Sequence, residues 1–254
     1  MPPAIDRFVR PRPVARPALR VIVFHHAGGA AAMYHGMAAA LPADWELLVL
    51  DLPGRGKRSG EPLVDELPGL LPRVVADVLP VTDVPFAVFG HSLGAILAAE
   101  VARALEQRGI APVWVGISGR VAPSQPFPRL SAMDDSSLLA QLAQLGGTPV
   151  RALDNPELRA RLLRVVRADI ALLETYAPAA DRAPIASPVT LFAGTSDPWA
   201  APAAMAPWAD ETSGRCHTRL YPGGHFFLLE AGLAAFTRDL AAEIQHARHG
   251  ALAA

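Results

Sequence analysis

Residues 86–95 read Phe86-Ala87-Val88-Phe89-Gly90-His91-Ser92-Leu93-Gly94-Ala95, an apolar run that enters Gly-x-Ser-x-Gly and leaves through small, apolar residues. A β-rich segment before the motif and a helix-like one after it are the surroundings of a nucleophile elbow, a sharp strand-to-helix turn that lifts a serine hydroxyl clear of a sheet. Glycine suits positions 90 and 94 because a Cβ at either would crowd the neighbouring strand or helix backbone. The bare pattern would arise by accident about 0.1 times in a chain of this size, so the flanking pattern is what makes Ser92 a candidate nucleophile.

Working outward, the same apolar, β-branched or aromatic character predicts strands at residues 20–24, 46–50, 86–89, 113–117 and 189–192. None alternates with polar residues, as expected of strands covered on both faces of a parallel sheet. Helix-like segments fall at residues 33–41, 67–79, 93–108 and 228–246, with Pro68 and Pro72 leaving the first turn of the second open. The alternation predicts an α/β fold with a mostly parallel, doubly wound sheet.

Residues 131–176 break the rhythm. They hold no convincing strand but two helical stretches. The first is residues 135–145, stopped by Gly146-Gly147. The second is residues 156–176, opened by Asp154-Asn155 with proline at the first turn. Leu158, Leu162, Leu163, Val165, Val166, Ile170 and Leu173 give the second an apolar stripe. Two readings stand: extra surface helices packed on the core, or a lid inserted where the sheet's upper edge opens, covering an apolar substrate passage. The expected organisation is one domain over residues 1–254, with 131–176 as the lid and 1–19 as an N-terminal arm.

Composition narrows the function. The 254 residues are 51% hydrophobic and 19% charged, with 23 basic against 24 acidic side chains, so no whole-molecule field favours nucleic acid. The arginine-rich start (Arg7, Arg10, Arg12, Arg16, Arg20) has no apolar core of a secretory signal and is expected to be a solvated arm. No run approaches a membrane span, so a soluble cytoplasmic protein is expected. The one cysteine, Cys216, excludes an internal disulfide and a cysteine-based metal site, and reads as an ordinary small side chain. No metal or cofactor is expected.

A serine hydroxyl is a poor nucleophile near neutral pH and needs a base within reach and an acid to orient that base. In α/β-hydrolases these follow in the order serine, acid, histidine. Asp197 in Gly194-Thr195-Ser196-Asp197-Pro198 and His225 in Gly223-Gly224-His225-Phe226 supply that order, each in a loop at the carboxyl end of a strand. Asp51 competes as the acid but lies out of order, and Asp197 could instead be an Asx-turn residue before Pro198. Of the other histidines, His217, His246 and His249 read as solvated, His35 as a helix-surface residue, and His91 as part of the turn itself. The tetrahedral intermediate needs two backbone N–H donors. Leu93 follows the nucleophile, and Ala27, in His25-His26-Ala27-Gly28-Gly29, lies where glycines let the backbone approach. A plain flexible turn is the alternative at Gly28-Gly29. A phosphate-binding loop is disfavoured because neither phosphate fingerprint is present.

At this point the residues resemble the type II thioesterases that accompany modular polyketide synthases and nonribosomal peptide synthetases. The resemblance rests on His26-Ala27-Gly28-Gly29, Leu52-Pro53-Gly54-Arg55, Gly90-His91-Ser92-Leu93-Gly94, Leu145-Gly146-Gly147-Thr148-Pro149, Arg167-Ala168-Asp169, Glu174-Thr175-Tyr176, Asp197 and Gly224-His225-Phe226. It spans about residues 20 to 245. Gly56-Lys57 departs from it, where many relatives carry acidic residues or arginine. The resemblance implies an α/β-hydrolase fold and hydrolysis of stalled acyl groups from the phosphopantetheine arm of an acyl or peptidyl carrier protein. The reaction would pass through an acyl-enzyme on Ser92. The thiolate that leaves has a conjugate acid near pKa ~8.5 and needs little help. Leu142, Leu145, Leu162 and Val166 would line the lid over a small acyl substrate. Arg55, Lys57 and Arg58 would dock an acidic carrier, unless that loop is merely solvated. The expected enzyme is a monomer that uses neither nucleic acid nor membrane. An esterase or lipase of the same fold, and a catalytically silent α/β-hydrolase that binds a ligand or carrier, are the alternatives. The chain reads as free-standing, with no carrier or linker segment attached.

Overall fold

The computed structural model describes residues 4–146, 155–179, 181–230 and 232–252. One sheet is built from β1 (Phe8–Val9), β2 (Leu19–Phe24), β3 (Trp45–Leu50), β4 (Phe86–His91), β5 (Trp114–Ser118), β6 (Val189–Gly194) and β7 (Cys216–Tyr221). Their order is β1-β3-β2-β4-β5-β6-β7, with every pair parallel except β1, which runs antiparallel to β3. The helices are α1 (Met37–Ala40), α2 (Leu67–Val78), α3 (Leu93–Glu106), α4 (Asp135–Leu145), α5 (Pro156–Glu174), α6 (Pro202–Met205), α7 (Phe227–Glu230) and α8 (Leu233–Leu252).

The absence of alternation in the sequence has a direct cause. Side chains of a strand point to opposite faces in turn, and here both faces are covered. Ile22, Phe24 and Val88 pack into the layer that holds α2 and α3 (Val74, Val78, Leu97, Val101). Val21, Val23 and Phe89 pack into the opposite layer with α1 and α8 (Met37, Phe236, Leu240, Ile244). The five predicted strands and the three-layer arrangement are therefore present. Strand β7 escaped bounding because it is an edge strand, with half-exposed polar residues such as His217 and Arg219.

Three expectations change. Residues 33–41 are not one helix but a 3-10 turn (Ala31–Tyr34) and the single turn α1. The last helix is interrupted by Gly232, at φ +85°, and α8 then continues to Leu252, so His246 and His249 lie on a helix rather than in a tail. The arm is not solvated: Arg7 pairs with Asp77 at 2.6 Å, Arg10 pairs with the fully buried Glu46, and Arg12 donates to the Pro42 carbonyl at 2.6 Å. Arg7 and Arg10 thus tie the start of the chain to buried acids that Arg58 and Arg20 also hold.

Helices α4 and α5 stand over the carboxyl ends of the strands with a small apolar cluster of their own, Leu130, Leu138, Leu163, Val166 and Ile170. The Asn155 side chain caps α5 by accepting the N–H groups of Glu157 (2.9 Å) and Leu158 (3.2 Å), as its sequence predicts. Gly146, at φ +80°, ends α4. Gly147, Thr148, Pro149 and Asp154, which also figured in the sequence reading, lie outside the described residues.

Candidate active site

Ser92 sits between β4 and α3 at φ 56° and ψ −111°, the one non-glycine positive φ among the described residues. Such backbone typically costs ~1–3 kcal/mol and persists only where packing over-determines it. The determinants are visible. A Cβ on Gly90 would lie 1.8 Å from the Gly94 carbonyl oxygen, and one on Gly94 would lie 2.1 Å from that of Phe24. The Ser92 N–H is tied to the Ser118 carbonyl at 2.8 Å on β5.

Asp197, just beyond β6, directs Oδ2 to His225 Nδ1 at 2.8 Å, while its Oδ1 accepts the N–H groups of Trp199 (2.8 Å) and Ala200 (3.0 Å). A carboxylate can only accept, so Nδ1 of His225 carries the hydrogen and Nε2 is left as the basic nitrogen. Ser92 and His225 line the same cavity, of about 430 Å³. Strands β4, β6 and β7 thus deliver serine, acid and histidine to one rim of the sheet. The rival acid Asp51 is spent on structure, accepting Ala31 N–H at 2.8 Å and Lys57 N–H at 3.0 Å. Of the rival histidines, His217 proves not to be simply solvated: it pairs with Glu243 at 2.8 Å.

Ala27 lines the cavity, and its N–H has no acceptor among the described residues. Leu93 is the first residue of α3, where an N–H has no partner within the helix. Next to Ala27, the Gly28 N–H donates to Asp169 Oδ2 at 2.7 Å, and Arg55 grips the same carboxylate, with Nη2 to Oδ1 at 2.7 Å. Asp169 belongs to α5 and is fully buried. One carboxylate on the overlying helix therefore holds both the 26–29 loop and Arg55.

Leu142, Leu145, Leu162 and Val166 all line the cavity, whose wall is largely apolar. Sequence reasoning missed Trp199 and Phe226, which also line it; each is an aromatic next to or near the acid or the base in sequence. It also gave Asp169 no role, although a lone carboxylate beside apolar Ile170 on a helix stripe needs a partner.

Arg55, Lys57 and Arg58 do not form the expected docking patch. Arg55 is buried against Asp169, and Arg58 is buried between Asp77 (2.9 Å) and Glu61 (2.7 Å). Lys57 Nζ is turned back to the Phe8 carbonyl at 2.8 Å. Arg55 and Arg58 are thus spent on internal carboxylates, and Lys57, though exposed, is turned toward the chain's own backbone.

Three further histidines crowd the site. His91 Nδ1 contacts Ser118 Oγ at 2.9 Å, and its ring centroid is 4.9 Å from that of His225. Burial, with the neighbouring His225 and His26, pushes the His91 pKa well below the usual 6.5. Burial likewise lowers His25 to about 4, with Arg55 adding to it, and His26 to about 3. All three stay neutral around the base. An unfolded chain takes up these protons below pH ~6.5 and the folded one does not, so the stability present in full above that pH is lost as it falls toward 4 and 3. At pH 5, His25 and His26 together should cost about 4 kcal/mol relative to pH 7. Urea unfolding at the two pH values measures this, and His26→Gln should make the decline shallower.

The chain is similar to several known proteins. The chain is 36% identical over 222 residues to a probable cadicidin biosynthesis thioesterase of Streptomyces griseus, covering 87% of this chain and 61% of that protein. It is 39% identical over 219 residues to thioesterase PikA5 of Streptomyces venezuelae, covering 85% and 78%. Thus it spans about three-fifths of the first of these relatives, and only 11% of the Pseudomonas aeruginosa synthetase AmbE, to which it is 37% identical. Among solved structures, RedJ, a thioesterase from the prodiginine pathway of Streptomyces coelicolor, superposes with TM-score 0.81 at 33% identity, covering 92% of this chain and 91% of that one. YbtT, a type II thioesterase from the yersiniabactin pathway, does so with TM-score 0.85 at 27% identity, covering 95% and 99%. This is the α/β-hydrolase architecture that the sequence implied. Residues 19–244 match the thioesterase domain family, and the chain belongs to it.

Proposed function

We propose that the protein is a type II thioesterase that removes aberrant or stalled acyl groups from the phosphopantetheine arm of a carrier protein in polyketide or nonribosomal peptide assembly. The observation that carries this reading is the Asp197–His225 pair facing the cavity that Ser92 also lines, under an apolar roof from α4 and α5. Names of relatives from such pathways support it.

In the proposed reaction the thioester carbonyl sits with its oxygen toward the N–H groups of Ala27 and Leu93. Ser92 Oγ attacks the carbonyl carbon as His225 Nε2 takes the hydroxyl proton, and Asp197 steadies the imidazolium. The C–S bond breaks and the sulfur leaves as the thiol, taking that proton from His225. His225 then deprotonates a water that attacks the acyl-enzyme, and returns the proton to Ser92 Oγ as the ester C–O bond breaks and the acid departs. Residues 131–176 act as the lid, with Leu142, Leu145, Leu162 and Val166 setting which acyl chains fit. We place the enzyme in the cytoplasm. Among the described residues no helix is long and apolar enough to cross a membrane.

The test is a side-by-side measurement on one acyl group presented on a carrier protein, on a small pantetheine-like thiol and as an oxyester. The expected order of kcat/KM is carrier first, by about tenfold or more over the small thiol, and oxyester last. An oxyester turned over faster than either thioester would favour the esterase reading.

A further inference from the structure

Five arginines are buried among the described residues: Arg20, Arg55, Arg58, Arg103 and Arg120. Four rest on carboxylates: Arg20 on Glu46 and Asp83, Arg55 on Asp169, Arg58 on Glu61 and Asp77, Arg103 on Glu100 and Glu211. Arg120, two residues past the end of β5, pairs with no carboxylate among the described residues, and its Nη1 is buried without a hydrogen-bond partner. Its guanidinium lies over the Phe127 ring, with Cζ 3.8 Å from the centroid. That contact covers one face of the cation and leaves its N–H edge unspent. Burial lowers the pKa to about 10, so the group is still a cation at neutral pH. A buried cation without a counter-charge is a standing cost to the fold.

Arg120 lines a second cavity, of about 420 Å³, with Gln125, Phe127, Arg129, Leu173 and Tyr176, and this cavity shares no lining residue with the one at Ser92. Glu174 also lines this cavity, but it and Glu100 are already committed. Glu174 accepts the N–H groups of Leu130 (2.5 Å) and Ser131 (2.8 Å), and Glu100 accepts the Tyr176 hydroxyl at 2.7 Å and Arg103 at 2.6 Å. Among the described residues, no carboxylate is left over to meet this cation.

We propose that Arg120 anchors a second ligand site, which takes a small organic carboxylate. Its two oxygens meet the guanidinium edge, the geometry in which arginine binds carboxylates best, and its hydrocarbon part rests on Phe127 and Leu173. Phe127 packs edge-on against Trp199 at 5.9 Å, and Trp199 lies 5.8 Å from His225 and lines the first cavity. Occupancy therefore bears on the wall of the first cavity through the contact between these two rings. The site is independent of the proposed hydrolysis, since it uses neither Ser92 nor His225.

The experiment titrates the full chain with sodium butyrate, sodium phosphate or sodium chloride at matched ionic strength. Thermal unfolding and hydrogen exchange are followed together. Butyrate at ten times its dissociation constant should raise Tm by about 3–5 °C, and should slow exchange in residues 120–131 and 173–176. Arg120→Gln should abolish both effects. If that variant does not fold, Arg120→Lys, which keeps the charge and loses the fork, should weaken binding about tenfold or more. Phosphate protecting these segments better than butyrate would overturn the assignment to a carboxylate. No saturable effect, or protection confined to residues 26–30 and 142–166, would overturn the site.

Discussion

Ser92→Ala is expected to lower kcat/KM for an acyl-carrier thioester on the order of 10⁴- to 10⁶-fold while far-UV circular dichroism and Tm stay close to those of the parent. The first half follows from the site. The only hydroxyl at the elbow is lost, and the remaining N–H groups of Ala27 and Leu93 can polarise the carbonyl but offer it no nucleophile. The second half follows from the backbone. Alanine and serine meet the same restriction at φ 56°, which is set by Gly90, Gly94 and the Ser92 N–H bond to Ser118, not by the side chain. His225→Ala should do nearly as much damage, and the double variant should be little worse than either alone, because groups acting as a unit are not additive. Steady-state rates on one substrate for the three variants decide it. Residual activity within about tenfold of the parent would mean another group carries the chemistry.

Gly90→Ala should instead destroy the fold around the site. The added Cβ would meet the Gly94 carbonyl oxygen at 1.8 Å, its carbon at 2.1 Å and the Ala95 nitrogen at 2.6 Å. All three are backbone atoms of the first turn of α3, which cannot swing aside as a side chain could. Relief requires moving α3 away from β4, within the buried layer that α2 and α3 form on the sheet. A loss of about 4–5 kcal/mol or more is expected, seen as a fall in Tm on the order of 10–20 °C or as insoluble protein. Gly60→Ala, where nothing lies within 4 Å of the new Cβ, is the control and should shift Tm by about 1 °C or less.

What was legible in the sequence, and what was not, divides on physical lines. The strands at residues 20–24, 46–50 and 86–89 could be read because burial on both faces forces apolar side chains at consecutive positions, after Arg20 and Glu46 in the first two. The elbow could be read because a backbone collision demands glycine at two fixed positions. Asp197 and His225 were found from chain order, and the structure brings them together at 2.8 Å. Partnerships between distant charges were not legible. Arg7, Arg10 and Arg12 look like a solvated arm until Asp77, Glu46 and the Pro42 carbonyl arrive from elsewhere. Arg55 and Arg58 look like a surface patch for the same reason, since one-dimensional sequence shows a charge but not its counter-charge. Strand β7 hid because an edge strand tolerates polar residues.

The Asp169 carboxylate couples two things that are usually considered apart. It rides on α5, yet it fixes the peptide beside Ala27 and the guanidinium of Arg55 beneath. Any excursion of that helix away from the sheet takes the acceptor with it and frees the Gly28 amide to turn. On the proposed mechanism, the donor loop at Ala27 is then set for catalysis only while the roof is seated, so the position of one helix decides whether the site is finished.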